Sequence, residues 1–194
     1  WFEEQGAYAS QLLSKLPHRE QILDRLTELD QSIPFSTFAV ERLANGDIFY
    51  ERRNAGESLA KLFRLSARSE QAELVVDPEV LGDDKDQPYS LEVYQPSWDG
   101  RYVTYGVAQG GSEETTYHVI DLNSDETLPD TLTNIETAYN RPQWSLDNEG
   151  FFYSRRRYLP EGAPETEIYK QTHVLYHYIG NDPADDSLVV AYGL

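Results

Sequence analysis

The spacing of apolar residues changes once along the chain. Residues 2–29 carry apolar side chains at helical intervals, and Pro17 interrupts the stripe. This pattern predicts two helices, or one kinked helix, whose apolar face packs against another domain or against its own chain; a single helical segment favours the former. After Ser32-Ile33-Pro34 the pattern changes to short β-prone runs with alternating polarity. The apolar stripe comprises Tyr8, Leu12, Leu13, Leu16, Ile22, Leu23, Leu26 and Leu29.

The β-prone part contains a recurring motif in which an acidic turn precedes a short aromatic strand. Gly46 and Gly100 are 54 positions apart, and Gly100 and Gly150 are 50 apart. Repeats of roughly 40–50 residues built from short strands are typical of β-propeller blades. The three copies are Asn45-Gly46-Asp47-Ile48-Phe49-Tyr50, Ser97-Trp98-Asp99-Gly100-Arg101-Tyr102-Val103 and Ser145-Leu146-Asp147-Asn148-Glu149-Gly150-Phe151-Phe152-Tyr153.

These patterns predict a mainly β fold, with an N-terminal helical segment over 1–31 and a partial β-propeller over 35–194. About three antiparallel blades are expected, at approximately 35–80, 89–132 and 135–194. A blade cannot bury its faces without neighbours. We therefore expect either a larger protein around this chain, as the opening Trp1-Phe2 also indicates, or self-association through open blade edges.

The amino-acid composition argues against several classes of binding partner and site. The chain has 34 acidic and 16 basic residues, a formal net charge of -18. Such a field disfavours nucleic acid and anionic membranes, and no apolar run approaches the roughly 18 residues of a membrane span. The absence of cysteine excludes disulfides, thiolate metal sites and a cysteine nucleophile.

No serine shows the pattern of an activated nucleophile. Gly110-Gly111-Ser112-Glu113-Glu114 comes nearest to Gly-x-Ser-x-Gly, but it ends in Glu and lies in a predicted hairpin turn. We therefore predict that this chain carries no catalytic residue.

Metal and cofactor sites are not expected either. His173 and His177 have the spacing of a helical zinc pair, but their segment alternates as a strand. The acidic run Asp83, Asp84 and Asp86 lacks the other ligands of a calcium loop. The only basic run, Arg155-Arg156-Arg157, is interpreted as an exposed strand end, with binding of an acidic partner or a neighbouring domain as the alternative.

Ordered segments along nearly the whole chain resemble the N-terminal part of the prolyl oligopeptidase family of serine peptidases. The strongest is Ser97-Trp98-Asp99-Gly100-Arg101-Tyr102-Val103-Thr104-Tyr105-Gly106, followed by Gly111-Ser112-Glu113. The others are Trp1-Phe2-Glu3-Glu4-Gln5, Arg25-Leu26-Thr27-Glu28-Leu29, Val76-Asp77-Pro78, Leu128-Pro129-Asp130-Thr131-Leu132, Gly150-Phe151-Phe152-Tyr153-Ser154 and Val174-Leu175-Tyr176-His177-Tyr178-Ile179-Gly180-Asn181-Asp182-Pro183.

The resemblance implies a serine endopeptidase in which a seven-bladed propeller covers an α/β-hydrolase domain with a Ser-Asp-His triad. Residues 1–30 would be helices on the hydrolase side, and the propeller would act as a size filter that admits short peptides. Cleavage would follow proline or, in a sister branch, basic residues, by acyl transfer without a metal. The triad would lie outside this chain, and the parent enzyme would be cytoplasmic or periplasmic.

One residue of the third unit is predicted to face substrate. The segment 135–142 is two residues longer than the family pattern, so Tyr139 or Thr137 could occupy the place of a family aromatic that reaches the substrate cavity. Tyr139 is the residue we name. The alternative function is a stand-alone peptide- or protein-binding module without enzymatic activity.

Overall fold

The helical stripe folds as two separate helices in a computed structural model, which describes residues 1–82, 87–136, 141–191 and 193. The helices are α1 (Phe2–Leu13) and α2 (Arg19–Gln31). Pro17 lies between them, and His18 adopts a left-handed conformation with φ 66° before the second begins. Neither helix has a buried residue. Neither described helix has both the length and the hydropathy to cross a bilayer.

Two compact units divide the chain. One comprises Trp1–Ser36 with Arg53–Ser58, and the other comprises Thr37–Arg52 with Leu59–Leu194. Inside the first unit, the Arg53 guanidinium donates to Asp30 at 2.8 Å and to the carbonyl of Glu57 at 3.1 Å. These bonds connect α2 to the hairpin segment of the same unit.

Three antiparallel sheets form the β-rich part of the described chain, each of four strands that pair in sequence order. Consecutive pairing explains why each sheet follows from its local sequence: most neighbouring strands are joined by short turns, although a longer connection joins β10 to β11. Sheet 1 has β1 (Phe35–Arg42), β2 (Ile48–Asn54), β3 (Lys61–Leu65) and β4 (Ala72–Val76); sheet 2 has β5 (Tyr89–Pro96), β6 (Tyr102–Gln109), β7 (Glu114–Asp121) and β8 (Glu126–Glu136); sheet 3 has β9 (Gln143–Trp144), β10 (Gly150–Arg155), β11 (His173–Tyr178) and β12 (Ser187–Val190).

The apolar core is divided between the two seams at which successive sheets meet. The seam between sheets 1 and 2 buries Leu43, Phe49, Leu62, Val76, Tyr94, Val103, Tyr105, Val107 and Ile120. The seam between sheets 2 and 3 buries Val93, Tyr117, Val119, Leu132, Ile135, Trp144, Phe151, Tyr153 and Leu175. Sheet 2 contributes to both because alternate residues of its strands point to opposite faces. This arrangement of consecutive sheets confirms the predicted mainly β fold with part of a propeller.

The third copy of the sequence motif aligns differently from the prediction. Gly100 has φ 74° in its turn, and the corresponding left-handed residue of the third copy is Asn148, with φ 60°. Gly150 instead begins β10 opposite Tyr178. The match of Gly100 to Gly150 was therefore wrong, because Asn also tolerates the left-handed region that the turn requires.

Candidate functional site

The three motif turns connect neighbouring sheets. Asn45 in the β1–β2 turn donates its side-chain amide to the carbonyl of Asp99 in the β5–β6 turn, at 3.2 Å. Asn148 in the β9–β10 turn accepts from the backbone N–H of Trp98 at 2.8 Å. The sequence repeat therefore encodes two functions in one turn, since it closes its own hairpin and also fixes the position of the next sheet.

Two tryptophans form a reciprocal clasp across the seam between sheets 2 and 3. The indole N–H of Trp98 donates to the carbonyl of Trp144, and the indole N–H of Trp144 donates to the carbonyl of Gln95, both at 3.0 Å. The Trp144 ring also stacks on Tyr102 with ring centroids 5.8 Å apart. The clasp satisfies backbone carbonyls on the first strands of both sheets.

A cluster of ionisable groups lies in the same seam, centred on His177 of β11. Its Nε2 lies 2.8 Å from Oδ1 of Asp130 on β8, and its Nδ1 lies 2.7 Å from Oδ1 of Asp186. His177 and Asp130 are both essentially inaccessible to solvent. Because each ring nitrogen faces a carboxylate oxygen, the arrangement favours the doubly protonated imidazolium.

The electrostatics of the cluster agree with its geometry. Burial disfavours the charged imidazole, but hydrogen bonds to Asp130 and Asp186 outweigh it and raise the pKa of His177 to about 9. Burial also acts against the Asp130 carboxylate, yet its bonds to His177 and to the Gly180 N–H at 2.6 Å keep its pKa below the usual value. At neutral pH the cluster therefore contains a buried cation between two carboxylates, which connects sheet 2 to sheet 3.

Further bonds extend this cluster towards the basic run. The Tyr153 hydroxyl donates to Oδ2 of Asp186 at 2.6 Å, and Arg155 donates to the Tyr153 oxygen at 3.4 Å. Both oxygens of Asp186 are thus bonded, whereas Oδ2 of Asp130 has no hydrogen-bond partner among the described residues. The neutral imidazole expected of a zinc ligand is disfavoured here, since His177 is already committed to two carboxylates.

The basic run itself is largely covered, which corrects its interpretation as an exposed strand end. Arg156 is only 5% exposed. Its backbone N–H donates to the carbonyl of Asn134 at 3.0 Å, and its carbonyl accepts from the Asn134 side chain at 2.8 Å. The pairing with β8 places Arg156 at the seam instead of in solvent. Alternation in β10 gave no hint of this, because its buried residues Phe151 and Tyr153 share a face with Arg155 and not with Arg156.

Ser112 lies where the sequence placed it, in a hairpin turn. Gly110 and Gly111 both have positive φ, and the Ser112 N–H donates to the carbonyl of Gln109 at 3.0 Å. The turn joins β6 to β7, so it lacks the strand-to-helix elbow of a serine nucleophile. His173 and His177 likewise lie on a strand, as predicted.

Other sequence predictions fall outside the described residues. Tyr139 and Thr137 both belong to the undescribed segment 137–140, so the substrate-facing assignment stays a prediction. Asp83, Asp84 and Asp86 also lie in an undescribed segment.

Comparison with known proteins identifies the family. The family model for the prolyl oligopeptidase N-terminal β-propeller domain matches residues 1–192. The chain belongs to the prolyl oligopeptidase family. Its three sheets are therefore consecutive blades of that propeller, and the seams described above are interfaces between blades.

Individual relatives agree with this assignment. Prolyl endopeptidase of Elizabethkingia meningoseptica is 24% identical over 195 residues, which cover 98% of this chain and 26% of the relative. Prolyl oligopeptidase A of Amanita bisporigera is 26% identical over 216 residues, which cover 97% of this chain and 27% of the relative. The chain thus spans about a quarter of the length of the curated relatives it matches.

Solved structures show the same fold. A structure from a study of inter-domain dynamics in two prolyl endopeptidases has a TM-score of 0.86 and 29% identity, with 98% of this chain and 27% of that chain covered. Prolyl oligopeptidase B of Galerina marginata, bound to a 35mer hydrolysis and macrocyclization substrate, has a TM-score of 0.79 over 96% of this chain and 28% of that chain. At 17% identity the second comparison supports the fold alone.

Proposed function

We propose that this chain is the N-terminal part of a prolyl-oligopeptidase-like serine endopeptidase that cleaves short peptides. The family match over residues 1–192 carries the proposal. In it, the catalytic Ser-Asp-His triad lies elsewhere in the longer polypeptide, and the blades act as a size filter over the active site. A folded protein would be excluded because unfolding it costs several kcal/mol.

Exposed apolar surfaces support partners beyond this chain. In the helical unit, Leu12 and Leu26 are about half exposed, in line with helices that dock on an α/β-hydrolase domain. In the β-rich unit, the outer strand β12 of blade 3 has all four residues exposed. Leu146 is 88% exposed, although its counterpart Trp98 in the preceding blade contacts the next blade. We propose that further blades cover this face in the parent enzyme and that self-association covers it when they are absent.

The triad placement can be tested with the chain and with the longer polypeptide. We expect the longer polypeptide to hydrolyse a short proline-containing chromogenic peptide and to lose this activity with a serine-directed inhibitor. The 194-residue chain alone should show no hydrolysis. Inhibitor-sensitive hydrolysis by the chain alone would contradict the proposal that its triad lies elsewhere.

The size filter requires a separate experiment. A protein with proline-containing loops should resist the longer polypeptide while folded and should be cleaved as short fragments of the same sequence. Equal rates for the folded protein and its fragments would reject the filter and leave the peptidase assignment intact.

A further inference from the structure

A cleft at the seam between blades 2 and 3 is lined by a buried arginine, Arg156, that forms no ion pair with any described residue. The cleft has a volume of about 480 Å³ and lies between the β6–β7 turn and the connection from β10 to β11. Its walls include Arg156, Glu113, Glu114, Leu159, Ile168 and Tyr169. The opening therefore combines one buried cation with apolar and acidic surface.

Arg156 differs from the arginines on either side of it. Arg155 donates to the Tyr153 hydroxyl and to the carbonyl of Pro183, each at 3.4 Å. Arg157 donates to Gln171 at 2.8 Å and lies 3.7 Å from a Glu167 oxygen. In the described part of the chain, Arg156 forms no comparable polar contact through its side chain, and its buried Nε has no hydrogen-bond partner.

A buried Nε–H without a hydrogen-bond partner among the described residues is unfavourable. The Tyr169 ring, whose centroid lies 5.7 Å from Cζ of Arg156, offers only a weak cation–π contact. The Arg156 backbone is bonded to Asn134 through both its N–H and its carbonyl, which fixes the point from which the side chain extends. A largely buried guanidinium that lines a cleft, with its Nε–H unbonded, offers a charged donor to an anion.

The residues that line the cleft around Arg156 indicate which class of anion it would bind. One guanidinium balances one negative charge, and Glu113 and Glu114, which also line the cleft, would repel a doubly charged phosphate more strongly than a carboxylate. Leu159, Ile168 and Tyr169 provide apolar contact close to the charge. We propose that Arg156 binds the C-terminal carboxylate of a short peptide whose last side chain is apolar. This inference concerns the chain itself and does not rest on the peptidase proposal.

The site can be tested with two ligands that differ in one group. N-acetyl-leucine and N-acetyl-leucinamide are titrated separately into the 194-residue chain, and binding is followed by NMR chemical shifts. We expect the carboxylate to bind at least about tenfold more tightly than the amide, because a charged hydrogen bond is lost in the amide. Equal binding of the two ligands would overturn the proposal, as would tighter binding of inorganic phosphate.

Variants locate the interaction. Arg156→Gln should abolish the preference for the acid, and Arg156→Lys should retain part of it, since lysine keeps the charge without the planar fork. Arg68→Gln is the matched control, because it removes the same charge from an exposed position in blade 1. Retention of the full preference by Arg156→Gln would reject the assignment. If that variant fails to fold, Arg156→Lys takes its place, and an unchanged preference for the acid in that variant would reject the assignment.

Discussion

The two seams of this chain have the same architecture, but each contains a histidine and the two pKa values are shifted in opposite directions. Each seam contains an apolar cluster and an aromatic side chain that bonds to a carbonyl of the other sheet; Tyr94 donates to Ala39 in the first, and Trp144 donates to Gln95 in the second. The first seam contains His118 beside Tyr105, where burial lowers the pKa of the imidazole. In the second, two carboxylates raise the pKa of His177 to about 9.

The difference shows that burial alone does not determine the charge of a histidine. His118 has an aromatic neighbour and no carboxylate contact is evident in the described structure, so desolvation governs its protonation. His177 is buried at least as deeply, but Asp130 and Asp186 compensate its charge. We therefore expect the first seam to weaken in acid and the second to weaken in base.

The largest expected effect comes from His177→Gln. This change removes the cation and leaves Asp130 and Asp186 as two buried carboxylates, so the free energy of unfolding should fall by about 3–5 kcal/mol. Urea unfolding at neutral pH measures the loss. The matched change in the first seam is Tyr94→Phe, which removes one hydrogen bond and should cost about 1–2 kcal/mol.

A second variant checks the cause of this loss. Adding Asp130→Asn to His177→Gln removes one of the uncompensated charges and should restore part of the stability. If His177→Gln costs no more than Tyr94→Phe, or if Asp130→Asn gives no recovery, the ionic account of the second seam is wrong.

The next largest effect is the alkaline dependence of stability. The folded pKa of His177, about 9, exceeds the ordinary value of 6.5. Its contribution is therefore complete below pH 6.5 and is lost as pH rises through 9. The shift corresponds to on the order of 3 kcal/mol. Unfolding free energies between pH 6.5 and 9 should show this decline in the unaltered chain and a much smaller one in His177→Gln. Parallel profiles would exclude His177 as the source.

A smaller effect is expected from the tryptophan clasp. Trp144→Phe removes the hydrogen bond to Gln95 while keeping an aromatic ring against Tyr102, and we expect a loss of about 1–2 kcal/mol. Trp98→Phe removes the reciprocal bond at a side chain that is 56% exposed, where water can replace it. Trp98→Phe should therefore lower the free energy of unfolding, measured in urea, by less than Trp144→Phe does. The reverse order would contradict the view that burial makes the Trp144 bond important.

The sequence predicted the sheets better than the contacts between them. The alternation of apolar and polar residues and the identity of turn residues are local features of the sequence. They therefore revealed most strands and the repeat of the hairpin turns. The two-residue strand β9 was too short to show a period, and Asn148 concealed the register of the third turn. The run of three arginines was interpreted as exposed because it is highly charged. The sequence alone does not show that Asn134 on another strand pairs with Arg156.

The ionic cluster was beyond sequence reasoning for a similar reason. His177 and Asp130 are 47 positions apart and meet only because β11 packs against β8 of the preceding blade. Alternation did place His173, Leu175 and His177 on one face of a strand, which was a signal that His177 points inward. The pattern did not reveal that Asp130 is the partner of His177, because this pairing depends on how two sheets pack against each other.

The smallest predicted effect is a loss of stability at acid pH, which we attribute to His118 in the first seam. Because burial lowers the folded pKa of His118 below 6.5, the unfolded chain binds a proton more readily than the folded chain as pH falls. Stability attributable to His118 should therefore be present above pH 6.5 and decline below it. The effect should be smaller than the alkaline loss, since desolvation acts here without a charged partner. His118→Gln should flatten the difference between pH 7 and pH 5.5 in urea unfolding. A steeper acid loss in that variant would mean that His118 is charged in the folded chain, and the contrast between the seams would then fail.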